Sequence, residues 1–477
     1  MFLNEAGSLE ENGWDDPGKD KLWRYNQHYL DDLNADNPDG RSGWHQILVA
    51  SWIIANPPGT GTGWEPYPTS LRLVNWIKWV LSGNEPGQDM LASLAVQTRW
   101  LTKRLEWHLL GNHLLANAKA LVFAGLFFDG AEARQWLQTG VGILEREIPE
   151  QILSDGAHFE LSPMYHALIL EDFLDLTNVS RAFQAGTEPL FAAISERIPP
   201  MIEWLQAMSH PDGRISFFND AAFGIAPENQ NLIDYAQRLG FFTPTRTGSN
   251  WLQDSGYFRF ENQRAVVIAD FARVGPDYLP GHAHADTLSF EASLFGHRVL
   301  VNSGTSLYGT GPERLRQRGT DAHNTVTVAG TNSSEVWGGF RVARRARVFD
   351  VSCDWNGEAQ TACASHDGYT RLPDRPVHRR SITLSGECLE IFDSVTPTEH
   401  ESVARFHLHP DVAIEQTSAS SGIIRLPADQ TLTWDAGDNE PCVTSTTWHP
   451  EFGKIIKNRC LVIPLRDNRS ILKIRWD

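Results

Sequence analysis

From about residue 40 to 240, apolar side chains recur three and four positions apart, the spacing that lays them along one face of an α-helix. The runs LRLVNWIKWVLSG (71–83), LASLAVQTRWLTKRLEWHLL (91–110), NHLLANAKALVFAGLFF (112–128) and LSPMYHALILEDFLDLTNVSRAFQ (161–184) carry it most clearly. Short Gly, Pro and Asn punctuation (SGNEPG, FFDGAEA, HPDGR) separates the helical runs, so successive helices are expected to fold back as antiparallel hairpins. A series of such hairpins predicts a toroid or a solenoid. After about residue 250 the period shortens: YFRFEN, RAVVIADF, TLSFEASLFG, RVLVNSG, NTVTVAG, RSITLSG and ILKIRWD read as short strands bounded by Gly, Asn and Asp turns. They predict an antiparallel β-sandwich. The chain is therefore expected to be an α+β, multidomain protein with a helical domain at 1–245 and a sandwich at 246–477, the boundary falling in TPTRTGSN (243–250).

Length and composition agree with this picture and exclude several function classes. The 477 residues supply ample material for two cores. No apolar run approaches the ~20 residues of a membrane span, so no membrane partner is expected. A net charge of −18 argues against a nucleic-acid or anionic-membrane binder that works by neutralising phosphates. Against that acidic background, Arg314, Arg316, Arg318, Arg341, Arg344, Arg345 and Arg347 form a local basic cluster. It reads either as a surface for an anionic polymer or as a solvated face with each Arg paired to a nearby acid. Five cysteines without a CxxC pair suggest neither a disulfide framework nor a cysteine zinc site. The N-terminus MFLNEAGSLEENGW lacks the pattern of a secretory signal, which leaves the compartment open: periplasmic or secreted if a leader has been trimmed, cytoplasmic otherwise.

Candidate chemistry gathers at four places. In GNHLLANAKAL, Asn112 and His113 follow Gly111 at an expected helix start, where an amide and an imidazole can meet an anion favoured by the helix dipole; a capping Asn beside a packed His is the structural alternative. In DGAHFELSPMYH, His158, Glu160, Tyr165 and His166 crowd into nine positions, with Ser162 and Pro163 suited to cap and start a helix. In GHAHAD, His282 and His284 alternate and would share one face of a strand. Together with His323, and with Asn302 as a weaker oxygen donor, they form either a divalent metal site or a set of hydrogen-bonding histidines. Finally, Trp64, Tyr25 and Tyr67 are candidates for aromatic faces that receive sugar rings, although wide helical rings also use Trp as core filler.

Together with LWRYNQHYL (22–30), SGTSLYG and RQRGTDAHNTV, these motifs resemble, in this order across most of the chain, the heparinase II/III-like polysaccharide lyases. The resemblance implies an N-terminal (α/α) toroid built as an incomplete barrel of helical hairpins, a C-terminal β-sandwich and a bacterial origin. It implies cleavage of an acidic, uronate-containing polysaccharide by β-elimination, with heparin, heparan sulfate, hyaluronan or chondroitin sulfate expected before alginate. Within the matched motifs, Asn112 would hold the uronate carboxylate and Tyr165 would act as acid, and as base too for one epimer, with His113 or His282 as the other base or charge neutraliser. Arg72, His158, Glu160 and Arg318 are candidate substrate contacts, Arg72 also as a cation that lowers the Tyr165 pKa. The chemistry requires no cofactor. A structural divalent metal, zinc or another, is implied at His284, Asn302 and His323, although Asn302 stands where zinc-binding relatives have a carboxylate. A glycoside hydrolase using Asp155, Glu160 or Glu171, or a polysaccharide-binding protein without turnover, are the other readings.

Overall fold

The structure is a computed structural model that describes residues 1–183, 188–244, 248–355, 359–427 and 430–476. Its backbone contacts resolve into two compact units: Met1–Ile152 with Ile169–Ile198, and Leu153–Leu168 with Pro199–Asp477. The expected boundary at 245 lies outside the described residues. Compactness groups the residues otherwise, because Leu153–Leu168 and the segment from Pro199 onward pack with the strands.

The first unit is helical. Helices Lys21–Tyr29, Ser42–Ala55, Pro66–Leu81, Gln88–Thr102, Gly111–Phe127 and Ala131–Gln151 follow one another through short turns, as the apolar spacing predicts. The run expected at 91–110 stops as a helix at Thr102. Residues 103–110 form turns because the Asn117 Oδ1 accepts the Glu106 N–H at 2.8 Å and holds that stretch of chain against the next helix. Gly111–Phe127 is apolar around nearly its whole circumference and is buried along nearly all its length. Its neighbour Ala131–Gln151 approaches so closely that a Cβ on Gly125 would lie 2.5 Å from the Leu137 nitrogen. The one Lys on the buried helix is Lys119, whose ammonium binds Asp172 at 2.7 Å and Asp175 at 2.6 Å; Lys78 reaches Asp175 from Pro66–Leu81 at 3.0 Å. This buried charge network ties three helices together.

The second unit carries the strands. Asn250–Leu252, Tyr257–Glu261, Ala265–Asp270, Phe290–Leu294 and His297–Leu300 form an antiparallel meander in chain order. An eight-stranded sheet runs in the order Ala413–Gln416, Ser421–Arg425, Thr431–Asp435, Arg469–Arg475, Cys388–Val395, His378–Leu384, Gln360–His366 and Val348–Asp354. Four more strands pair as Cys442–Trp448, Ile456–Pro464, Ser402–His407 and Val326–Val328. Cys388–Val395 alternates half-buried and buried positions along its length, so one face of its sheet enters a shared core with Phe258, Phe290, Ile391, Phe406 and Leu472. A smaller core of Ala157, Leu161, Trp204, Met208, Tyr257 and Ile268 anchors the segment 153–168 to the meander. Gly156 permits this: it has φ +90, and a Cβ there would lie 2.3 Å from the Pro200 carbonyl.

Replacing Lys119 by Ala would remove the cation that joins half-buried Asp172 to buried Asp175, leaving Asp175 with Lys78. Loss of one partner of a buried ion pair costs about 3–5 kcal/mol, so Lys119→Ala is expected to lower the denaturant midpoint strongly. A midpoint near that of the parent would show that the network contributes little.

Candidate functional site

In the helical unit, the chain enters Gly111–Phe127 through two left-handed residues, Leu110 (φ 55) and Gly111 (φ 52). This places Asn112 and His113 in the first turn, where unpaired backbone N–H groups and the helix dipole favour an anion. The Asn112 amide makes no hydrogen bond among the described residues. His113 Nδ1 meets Glu106 Oε1 at 3.0 Å, and the other Glu106 oxygen accepts from Asn117 at 3.0 Å. A carboxylate on Nδ1 favours the tautomer that leaves Nε2 as the free lone pair. The His113 ring lies 4.5 Å from the ring of Tyr67.

In the second unit, Ser162 and Pro163 start the helix Pro163–Phe183 in the way the sequence predicts: Ser162 Oγ accepts the Tyr165 N–H at 3.2 Å and donates to the Asp220 carbonyl. The Tyr165 ring lies 3.9 Å from the His282 ring, centroid to centroid, and its hydroxyl is 2.8 Å from that of Tyr308. His282 Nε2 faces Glu160 at 3.6 Å.

One carboxylate organises this constellation. Asp220 is fully buried and accepts from His282 Nδ1 at 2.8 Å, from His284 Nε2 at 2.9 Å, from Thr305 at 3.3 Å and from both terminal nitrogens of Arg314. Burial pushes its pKa up, but the Arg314 charge and the two histidine bonds outweigh that and hold it well below the usual carboxylate range. His282 and His284 lie on a loop rather than the expected strand. They nevertheless converge, because both rings bond the same carboxylate. Binding Asp220 through Nδ1–H leaves His282 Nε2 as the basic nitrogen.

Behind His282, burial lowers His284 to about 4 and His323 to about 3, so both rings are neutral. His284 Nδ1 and His323 Nε2 are 3.2 Å apart, and Asp286 completes a buried group whose ligand atoms all lie within 4.8 Å of one another. Two nitrogens bound to one tetrahedral zinc at ~2.0–2.1 Å would be separated by roughly 3.3–3.4 Å, and a carboxylate on the far nitrogen of a ligating His is the usual supporting partner. These residues therefore fit a divalent metal. Asn302, expected as the third ligand, is turned elsewhere: its oxygen accepts the Asn324 N–H at 3.1 Å and its nitrogen donates to the Phe217 carbonyl at 3.0 Å. Asp286 is the oxygen donor beside the two histidines.

Several expected substrate contacts prove to be internal. Arg72 is fully buried, bonded to Gln97 at 2.9 Å and lying 3.8 Å over the Trp52 ring, and burial lowers its pKa. It braces the helical unit. Trp64 is core, its N–H on the Asn56 carbonyl and its ring against Trp52 and Trp100. Arg318 is also fully buried and bonds the Ala283 carbonyl, between the two loop histidines, which positions their loop. His158 is buried and held neutral by that burial, with its backbone N–H on His166. Tyr25 remains half-buried and donates to Glu65. Sequence reasoning missed Glu106, Asp220, Tyr308 and Arg314. Tyr308 lies inside SGTSLYG, a motif already carrying the resemblance, whereas Asp220 in SFFNDAAF has no local signal of its own.

The described residues thus combine a helical unit that carries an Asn–His pair at a helix start with a strand-rich unit that carries a Tyr–His pair beside a buried carboxylate. Heparinase II/III N-terminus matches residues 45–247, and Heparinase II/III-like, C-terminal matches residues 244–477. The chain belongs to the heparinase II/III-like family. A heparin-sulfate lyase of Bacteroides stercoris is 30% identical over 296 residues, 57% of this chain and 41% of that relative. One from Bacteroides thetaiotaomicron is 26% identical over 388 residues, 71% and 53% respectively. The chain thus spans about half the length of the curated relatives it matches. A crystal structure of heparinase III superposes with a TM-score of 0.76 at 19% identity, covering 100% of this chain and 79% of that one, a likeness of fold.

Asp220→Ala is expected to destabilise the second unit by about 3–5 kcal/mol, because it strands the Arg314 guanidinium in the interior. The contribution of the carboxylate is present above its unfolded value of about 4 and is lost only as the pH falls towards its depressed native value. Denaturant midpoints of parent and variant should therefore differ most at pH 5–7 and converge in acid; a constant difference down to the lowest pH would contradict this.

Proposed function

We propose that this protein is a polysaccharide lyase that cleaves a uronate-containing polysaccharide by β-elimination, with glycosaminoglycans of the heparin and heparan sulfate class foremost. The observation that carries the reading is the Tyr165–His282 pair oriented by Asp220, in a chain of a family whose curated relatives include heparin-sulfate lyases. No helix among the described residues is long and apolar enough to cross a membrane.

The elimination makes three demands. The uronate carboxylate must be neutralised so that the C5 proton becomes acidic; the unpaired Asn112 amide, at the positive end of its helix, suits that task. A base must remove the C5 proton. His282 suits this through Nε2, since Asp220 fixes the tautomer and stabilises the imidazolium that forms, and His113 has the same arrangement with Glu106. As the C5–H electrons form the C4–C5 double bond, the bond from C4 to the glycosidic oxygen breaks and that oxygen takes a proton from the Tyr165 hydroxyl. Tyr308, kept as a phenol by burial, donates a hydrogen bond that stabilises the resulting phenolate. A divalent ion held by His284, Asp286 and His323 would supply a cross-link rather than a reactive centre. Hydrolysis is less suited: Asp155 is committed to the N–H and hydroxyl of Ser255 at 2.8 and 2.7 Å.

The test is ultraviolet absorbance of unsaturated uronate ends on separate incubation with heparan sulfate, heparin, hyaluronan, chondroitin sulfate and alginate. Tyr165→Phe is expected to lower kcat by roughly 10²–10⁴-fold, the usual worth of a positioned proton donor, with KM within a few-fold. Asn112→Ala is expected to raise KM and lower kcat together. Wild-type turnover by Tyr165→Phe would remove that residue from the mechanism, and new reducing ends without absorbance would indicate a hydrolase.

A further inference from the structure

Apart from Arg341, which lies 5.4 Å over the Trp337 ring, the arginine cluster of residues 314–347 separates into two populations. Arg314 and Arg318 are fully buried in the site, and Arg316 is held by Glu313, Thr447 and His449. Arg344, Arg345 and Arg347 instead line a surface cavity of about 700 Å³ in the second unit, joined there by Arg273 and Arg371 from other segments. Only three carboxylates, Asp254, Asp277 and Asp367, line it with them.

The five guanidinium groups are not equally engaged. Arg344 forms a two-point pair with Glu335 at 2.8 and 2.6 Å, Arg345 bonds Asp277 at 3.2 Å, and Arg371 donates to the Gly368 and Asn332 carbonyls. The guanidinium groups of Arg273 and Arg347 are on exposed residues and make no ion pair or hydrogen bond among the described residues. Asp367 accepts the Arg347 backbone N–H at 2.7 Å, which fixes the base of that side chain and leaves its head group available.

We propose that this cavity is a second, non-catalytic binding site for sulfate and carboxylate groups of an acidic saccharide chain, with Arg273 and Arg347 as its principal contacts. The proposal rests on the lyase reading for the identity of the chain it anchors. Planar guanidinium forks match sulfate and carboxylate oxygens two at a time. A protein of net charge −18 repels a polyanion at long range, so a local excess of cations is needed to retain one. The position also serves the reaction. The segment that ends at His282 begins at this cavity: Asp277 lines it, the next residue, Tyr278, packs on Phe159 at 6.1 Å, and His282 follows four residues later. Five residues span at most about 18 Å, so one polymer can engage the cavity and the His282 constellation together, and the second contact becomes intramolecular.

The experiment compares the full chain with Arg273→Ser/Arg347→Ser, and with Arg425→Ser/Arg475→Ser as a control that removes two other exposed arginines of the same unit. Equilibrium binding of a size-defined heparin oligosaccharide is measured first, then turnover of polymer and of a tetrasaccharide. The cavity variant is expected to bind at least about fivefold more weakly and to show a matching rise in KM for polymer, with kcat, tetrasaccharide kinetics and melting temperature at parent values. The control is expected to match the parent. Equal binding by all three proteins, equal losses in both variants, or no binding by the parent would overturn the proposal. Absence of turnover on any polymer, with oligosaccharide binding still lost only in the cavity variant, would refute the lyase reading and leave the binding site standing.

Discussion

The second unit depends on one buried carboxylate. Asp220 is fully buried, and its charge persists because Arg314 faces it with two nitrogens and His282, His284 and Thr305 donate to it. Each of those groups comes from a different part of the 282–314 stretch, and the Asp220 backbone N–H also binds the His282 carbonyl at 3.0 Å. The cost of burying the charge favours the arrangement of the loop in which all of these donors meet Asp220, since each bond lost leaves the carboxylate less compensated in the interior. Tautomer choice at His282 and the orientation of both rings follow from that one group, whereas the neutrality of His284 comes from its burial, against the pull of Asp220.

The helical unit solves the same problem on a smaller scale. Glu106 orients His113 as Asp220 orients His282, and Asn117 keeps Glu106 in place from the next turn of the same helix. Both histidines thus have Nδ1 on a carboxylate, which is the arrangement that makes an imidazole a directed base instead of a freely rotating one. Elsewhere in that unit buried charge is purely structural. Lys119 with Asp172 and Asp175, and Arg72 with Gln97 and Trp52, brace helices.

Arginine serves three physical roles in the second unit. Arg314 neutralises a buried charge, Arg318 holds the loop backbone between His282 and His284, and the exposed Arg273 and Arg347 carry head groups with no internal partner. Composition and spacing treat all of these alike. The same holds for the candidate metal ligands: Asn302 and Asp286 are both oxygen donors, yet the Asn302 oxygen accepts the Asn324 N–H and its nitrogen donates to the Phe217 carbonyl, while Asp286 sits beside the two histidines.

The sequence by itself determined the division into helical and strand-rich stretches, because periods of 3.6 and 2 residues reflect local geometry and need no tertiary information. It also determined the helix starts at Gly111 and Pro163, where capping chemistry is local, and hence the placement of Asn112, His113 and Tyr165 in first turns. Tertiary structure alone decided which charged groups face inward. Arg72, Trp64 and Arg318 looked like substrate contacts because residue type cannot report burial. Asp220 and Tyr308 were invisible as site residues because each acts through a partner distant in the chain, as with the 143 residues that separate Tyr165 from Tyr308, and Glu106, although only seven residues from His113, lies in turns where the apolar spacing predicts helix. The grouping of 153–168 with the strands has the same origin: a helical period shows that a face will be buried, and only packing selects what buries it.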